Sequence, residues 1–425
     1  MYCKQNQKIK QVKDCTLVVG IDIGSTTHYA RAFDWRGIEL GNVFKFSNSL
    51  EGFQSLSGWM QRIMKKNDKS EVMAGIEPTG HYWFDLGAYL ENDGILLVMV
   101  NPYAVKQTKE LDDNSQSKND RKDPKVIAKL VTEGRYSLPY TPEGVYADLR
   151  LMVTNRQRII SELTQIKNRF ARWFAIYFPE YKKVFGDYES QSSMLVLRKA
   201  CTPERILELG IAGINQIWRD AKLRAVGIKR ATTLYETAKN SIGIQNGTNA
   251  AEYEMKLLLQ DYDYKQAQYE AVMEELERLC QKIPESRQML AIKGIGLITV
   301  AGFLAETGDL RRFESPRQIQ KLAGLSLKEN SSGKHKGQTT ISKRGRSRLR
   351  AILFNAVIPL IATNAEFREL HQYYTTRAVN PLKKKQSVIA ISCKLIRVFY
   401  AILTKGAVYD GRKMLSDIHR PPQTA

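Results

Sequence analysis

A short apolar run, CTLVVGIDIGS, ends with a carboxylate, Asp22, where the residues before it are built for burial. Rich in β-branched residues and closed by a glycine turn, it reads as an interior strand. A carboxylate flanked by such residues is costly to bury unless something positive meets it. Strand-like segments follow at 28–34 and 38–46, then a helix over 50–66, a strand over 71–76, a helix over 82–92 and a strand over 94–100. Consecutive strands followed by alternation of strand and helix predict a mixed sheet with helices packed on it.

From Leu149 the texture changes. Leu149, Met152, Ile159, Leu163, Ile166, Phe170, Trp173 and Tyr177 step by alternating threes and fours, with Arg156 filling one position of the seam. A second seam runs through Met255, Leu258, Tyr262, Tyr269, Val272, Leu276, Leu279 and Ile283, interrupted at Lys265. Heptads of this length predict two long helices paired in a coiled coil, within or between subunits, or packed in an ordinary bundle. Pro179 and Pro284 end them. Beyond Leu290, two helical stretches joined by Gly-Ile-Gly resemble a helix-hairpin-helix. A polar, basic loop and further apolar helices follow. The expected regions are an α/β domain over 15–145, a helical coiled-coil region with a small helical insertion over 146–288, and a mostly helical C-terminal domain over 289–415.

Charge narrows the class of function. The 425 residues carry a formal net charge of +21. From Arg311 to the end there are 23 Lys and Arg against 6 Asp and Glu, a surplus of 17. Such asymmetry assigns the C-terminal part to a polyanion, nucleic acid above all. The five cysteines, Cys3, Cys15, Cys201, Cys280 and Cys393, are scattered and form no C-x-x-C pair. They argue against a disulfide framework or a zinc site and for a reducing cytoplasm. The N-terminus lacks an apolar signal core, and the apolar runs near Ala351 and Ile389 are short and flanked by Arg or Lys, so no membrane role is expected.

The acids carry the chemistry. Asp22 and Glu77, the latter in GIEPTGHYW, each stand at a strand end, while Asp120 and Asp123 lie at the start of a helix in SKNDRKDPKVIAKL. Their i, i+3 spacing sets both on one helical face. Four such carboxylates can hold divalent ions, one activating an attacking oxygen and the other stabilising the leaving oxygen of a phosphodiester. Magnesium or manganese suits an all-oxygen site. Taken singly, each acid also reads as a turn, cap or satisfied buried residue. Their grouping in one α/β domain beside a basic region favours the metal site. The run Lys343 to Arg350, KRGRSRLR, reads as a phosphate contact.

The segments GIDIGSTTHYA, GIEPTGHYW, NPYAVKQTKELDDNSQSKNDRKD and GLSLKENSSGKHKGQTTISKRGRSRLRAIL, in that order, resemble the DEDD transposases of insertion sequences. The resemblance covers nearly the whole chain. It implies an N-terminal RuvC-like domain of ribonuclease H-like fold, whose βββαβαβα order agrees with the elements above. It places the family's four acids on Asp22, Glu77, Asp120 and Asp123, and its essential serine on Ser332, with Ser331 as the neighbouring alternative. Ser332 lies among Lys334, Lys336, Lys343 and Arg344, and with Arg346, Arg348 and Arg350 these basic residues are the expected nucleic-acid contacts. Two departures are Pro124, where the family commonly has alanine, and Ser326, where it often has proline. The implied partners are DNA, as element ends and target, a structured guide RNA and further copies of the chain, a dimer or tetramer. The expected activity is recombination by a four-carboxylate metal site and a serine nucleophile, in the bacterial cytoplasm.

Two alternatives come from other classes. VGIDIGSTT also begins the phosphate-binding part of actin-like ATPases, but the second glycine-rich phosphate loop they require is missing. A junction-resolving nuclease of RuvC type needs the acids without a serine domain.

Overall fold

In the computed structural model, the described residues are 2–78, 80–113, 122–328, 331–332, 335–337, 339–416 and 418; residues 2–4, 111–113, 331–332 and 335–336 are described by their backbone. The chain divides into two compact units, residues 1–141 and 142–425.

Unit 1 opens with helix α1 (Tyr2–Gln11) and strands β1 (Thr16–Asp22), β2 (Thr27–Phe33) and β3 (Phe44–Ser47). Helix α2 (Leu50–Lys66), β4 (Glu71–Ile76), α3 (Phe84–Asn92) and β5 (Leu96–Val100) alternate after them. Helices α4 (Pro102–Asp113) and α5 (Asp123–Thr132) and the short β6 (Tyr136–Ser137) complete the unit. The sheet order is β3-β2-β1-β4-β5-β6, with β1, β4 and β5 parallel and the other pairings antiparallel. This is the mixed sheet that the pattern of elements predicts.

Period-two alternation sorts the strands onto two faces. Leu17, Val19 and Ile21 pack with Ala74, Ile76 and the α2 residues Phe53, Leu56 and Met60. Val18, Met73 and Val98 pack with Ile127, Leu130 and Val131 of α5 on the other face. Helix α2 starts where Ser49 accepts a hydrogen bond from the Gly52 amide at 3.2 Å, the usual serine N-cap. The expected strand over 38–46 is curtailed to β3. The Asp34 carboxylate accepts from the amides of Arg36 and Ile38, at 2.9 and 2.8 Å, and closes a turn there instead.

Unit 2 is largely helical. Helix α6 (Gly144–Tyr177) is followed by α7 (Tyr181–Phe185), α8 (Gln191–Leu197), α9 (Pro203–Asp220), α10 (Ile228–Lys239) and α11 (Thr248–Gln281). Then come α12 (Ser286–Leu290), α13 (Leu297–Thr307), α14 (Pro316–Leu322) and four two-residue strands, β7 (Leu327–Lys328), β8 (Ser331–Ser332), β9 (His335–Lys336) and β10 (Thr340–Ile341). Helices α15 (Ser347–Thr363), α16 (Ala365–Thr376), α17 (Lys384–Lys405) and α18 (Gly411–Leu415) end it.

The two heptad seams lie on α6 and α11, which pack against each other within one chain and run antiparallel. Trp173, near the end of α6, donates to the Ala251 carbonyl near the start of α11 at 2.9 Å, while Leu149 shares a core with Leu276 and Leu279. One end of the pair joins the core of α7–α10, including Phe170, Tyr181 and Trp218. The other end joins the C-terminal helices, so residues 146–288 and 289–415 are packed as one unit. Between these cores the polar seam residues find partners: Arg156 lies over the Tyr269 ring at 5.6 Å, and Lys265 pairs with Glu162 at 2.7 Å. Gly294 of the Gly-Ile-Gly turn has φ +96°, and a Cβ there would meet Thr363 Oγ1 at 2.5 Å. Close packing against α15 therefore explains this glycine. Helix α17 is long and apolar enough to cross a membrane, but Ile391, Leu395 and Phe399 bury its inner face in the core.

Candidate active site

The site is set by two glycines. Gly20 of β1 and Gly75 of β4 are register partners in the parallel ladder. A Cβ on Gly20 would fall 1.9 Å from the Pro124 carbonyl oxygen, and one on Gly75 would fall 2.6 Å from Val131 Cγ2. Bare backbone at this pair lets α5 lie directly on the sheet, closer than any side chain would allow. Two residues further along, on the same face, stand Asp22 and Glu77. Because Ile21 pairs with Ile76, the two acids leave adjacent strands side by side. Asp123 is the first residue of α5, the helix drawn down by the glycines, and Pro124 suits the first helical turn. Together Asp22, Glu77 and Asp123 line a cleft of ≈ 480 Å³, with Lys106 and Lys109 of α4 and Tyr29 of β2.

The electrostatics of the cleft call for a cation. Burial raises the Glu77 carboxyl above its ordinary range, the Asp123 charge pushes it the same way, and Lys109 opposes them. Asp123 is buried, and its carboxylate is ion-paired with Lys109. Acids that repel one another in a partly desolvated cleft coexist as anions only beside positive charge. Their hard oxygen donors match magnesium or manganese in kind. Asp120, the fourth expected acid, lies outside the described residues. Among the described residues no three acidic, histidine or cysteine side chains are gathered to hold an ion.

His28 anchors the turn that follows Asp22, and no motif in the sequence singles it out. It is fully buried on β2, its ring centroid 5.0 Å from Phe46 and 6.3 Å from Phe53. Its Nδ1 accepts a hydrogen bond from the Gly24 amide at 3.3 Å, which ties the turn after Asp22 to the core. Burial lowers its pKa, with Asn48 acting the other way, which agrees with a neutral ring accepting at Nδ1. The available signal was alternation, since His28 falls in phase with the inward-facing Ala30 and Ala32.

In unit 2, Ser331 and Ser332 form β8, whose backbone pairs with Lys336 and His335 of β9. Lys334 lies outside the described residues, and Lys336 is described by its backbone alone. Lys343 and Arg344 are exposed. Arg346, Arg348 and Arg350 have partners inside the fold. Arg346 donates to the Glu306 carbonyl at 2.5 Å, and Arg348 lies 3.8 Å from the Glu306 carboxylate and donates to Thr154 at 3.0 Å. Arg350 donates to the Ala323 carbonyl at 2.9 Å. Glu306 is buried, so these arginines neutralise it and fasten the start of α15. Arg346→Ala should therefore lower stability by about 2 kcal/mol, the cost of stranding a buried charged acceptor. Lys343→Ala should leave the melting temperature nearly unchanged and flatten the salt dependence of nucleic-acid binding by about one counterion. Thermal melting and a binding titration across salt concentrations separate the two groups.

Residues 19–179 match a family described as transposase, of DEDD type, and residues 286–372 match the transposase IS116/IS110/IS902 family. The chain is 25% identical over 300 residues to the insertion element IS900 uncharacterized 42 kDa protein of Mycobacterium paratuberculosis, covering 69% of this chain and 73% of the relative. It is 22% identical over 391 residues to the insertion element IS116 uncharacterized 44.8 kDa protein of Streptomyces clavuligerus, covering 91% and 94%. A pilin gene-inverting protein of Moraxella bovis is 29% identical over 126 residues, 29% of this chain and 38% of the relative. The first match holds Asp22, Glu77 and the helix of Asp123, the second holds the serine hairpin and the arginines bound to Glu306, and the chain belongs to the IS110/IS116/IS902 family of transposases, enzymes that cleave and rejoin DNA.

Proposed function

We propose that Asp22, Glu77, Asp120 and Asp123 form a magnesium- or manganese-dependent centre of RuvC type, and that Ser332 is the nucleophile that takes the cut strand. One observation carries the metal reading: Asp22 and Glu77 leave neighbouring parallel strands on the same face, with Asp123 in the same cleft. Family membership implies a divalent ion, and the strand order of unit 1 supports a ribonuclease H-like fold. The ion supplies Lewis-acid activation of the attacking oxygen and stabilisation of the leaving one.

The chain's own residues do the rest. Asp22, Glu77 and Asp123 hold their positions because β1, the end of β4 and α5 are rigid elements. The Ser332 hydroxyl loses its proton and forms a bond to phosphorus, while the bond from phosphorus to the departing strand oxygen breaks and that oxygen takes up a proton. The phosphodiester is kept as a phosphoserine link, so rejoining needs no outside energy. Lys343 and Arg344 compensate phosphate charge. A structured guide RNA and a dimer or tetramer complete the reading, supported by the family resemblance and by the +21 charge.

The metal reading is tested with the full-length protein and duplex DNA carrying the element ends. Magnesium or manganese should support cleavage, calcium should support binding with little strand transfer, and a chelator should stop cleavage. Cleavage at full rate in the chelator would remove the metal centre from the reaction.

A further inference from the structure

Lys109 reaches from α4 into the acid-lined cleft and forms an ion pair with Asp123. Its side chain is 29% exposed and that of Asp123 is 10% exposed, so the contact is largely shielded from water. Its field also reaches Glu77, where it opposes the repulsion from Asp123. One ammonium thus sits among the acids, pairs with Asp123 and offsets part of the cluster's charge. A lysine suits this place better than an arginine, because a compact charge on a flexible stem can withdraw without breaking a two-pronged contact.

We propose that Lys109 is the built-in counter-ion of the acid cluster, holding Asp123 until a divalent ion arrives and competing with that ion for the same carboxylate. The inference rests on the metal-centre reading of this cleft. Two cations within a few ångströms repel strongly in a partly desolvated site, so the ion's arrival drives the ammonium off Asp123. The released lysine stays tethered by α4 at the cleft, beside Lys106 one turn earlier. The compensating charge nearest to hand is then a phosphate of bound DNA. Metal and DNA consequently favour one another: DNA gives the displaced lysine a partner, and by linkage the ion tightens DNA to the same degree. Without DNA, the lysine keeps its pair with Asp123, and the site holds the ion weakly.

The experiment measures Mn²⁺ binding to the full-length protein by the loss of the free-ion electron spin resonance signal. Native protein, Lys109→Met, Lys109→Arg and Asp123→Asn are compared, each with and without duplex DNA. Lys109→Met should bind Mn²⁺ roughly tenfold tighter than native in the absence of DNA, since a competing unit charge has gone. DNA should tighten Mn²⁺ binding by native protein and much less by Lys109→Met. Lys109→Arg should bind more weakly than native, because its two-pronged contact is harder to displace, and Asp123→Asn should also bind more weakly than native. If Lys109→Met fails to melt cooperatively, Lys109→Gln replaces it with the same expectation. Equal affinities in native and Lys109→Met protein, with Asp123→Asn weakened, would overturn the competition and leave the metal centre standing. Weaker binding in Lys109→Met would also overturn it, because the lysine would then be organising the ligands. If no variant binds Mn²⁺, or Asp123→Asn binds as native does, the metal-centre reading falls and the inference falls with it.

Discussion

Asp22→Ala should abolish strand cleavage, with a loss on the order of a thousandfold or more, while the protein stays folded and binds DNA. The residue ends β1 at the mouth of the cleft and is only half-buried, so truncation empties no core volume. Glu77→Gln should lose activity as completely, yet it should stabilise the metal-free protein. The Glu77 carboxyl is raised by burial first and by the Asp123 charge second. The folded state therefore holds its proton more tightly than the unfolded chain does. Its stabilising contribution is complete below the unfolded carboxyl's pKa and is lost as pH rises through the folded one. At neutral pH the charged Glu77 is a burden on the fold, which glutamine removes while keeping the shape. Melting of chelated protein should show Glu77→Gln above native at pH 7, with the gap closing toward about pH 4. Equal melting at pH 7 would mean that the acids are not in conflict. The opposite effects on activity and stability mark a site whose fold tolerates repulsion for function.

Much of unit 1 was legible because local signals agree with one another. The bounds of α2 and β4 follow from the Ser49 cap, the 3.6-residue apolar stripe and the continuous apolar run in EVMAGI. The strand-end positions of Asp22 and Glu77 follow from such runs ending at a carboxylate. Their juxtaposition does not, because it depends on the parallel pairing of Gly20 with Gly75, which lie far apart in sequence. Those glycines look like ordinary weak points of a strand until α5 is seen to lie on them. The contact of Lys109 with Asp123 is hidden for a similar reason, since it is made between two helices whose mutual packing no local pattern encodes. In unit 2 both long helices were visible as heptad seams, but a seam does not name its partner, and here each faces the other within one chain. KRGRSRLR has partners within the fold that a charge run does not display. Glu306, forty residues before Arg346, takes up two of its arginines, and backbone carbonyls take up a third.

Ser332→Ala should stop strand cleavage by at least about a thousandfold while preserving the DNA complex. Serine is a poor nucleophile at neutral pH and needs a base or a metal to remove its proton. The segment from Ser326 to Ser342 contains a single carboxylate, Glu329, against three lysines and one histidine, so it offers little base of its own. Ser331→Ala is the decisive companion. The two serines pair with different residues of β9, Ser331 with Lys336 and Ser332 with His335, and only one oxygen makes the bond to phosphorus. Loss of activity should therefore be confined to one of the two variants. Ser332→Cys should keep a trace of cleavage, because sulfur can attack phosphorus where the alanine methyl cannot. Trapped reactions of native protein, digested and analysed by mass spectrometry, should place a DNA-linked phosphoserine on the peptide at position 332. An adduct at Ser331 would shift the assignment by one residue within the same mechanism. Cleavage that survives loss of both serines would mean that water is the nucleophile, and the chain would then cut DNA as a metal-dependent nuclease without a covalent stage.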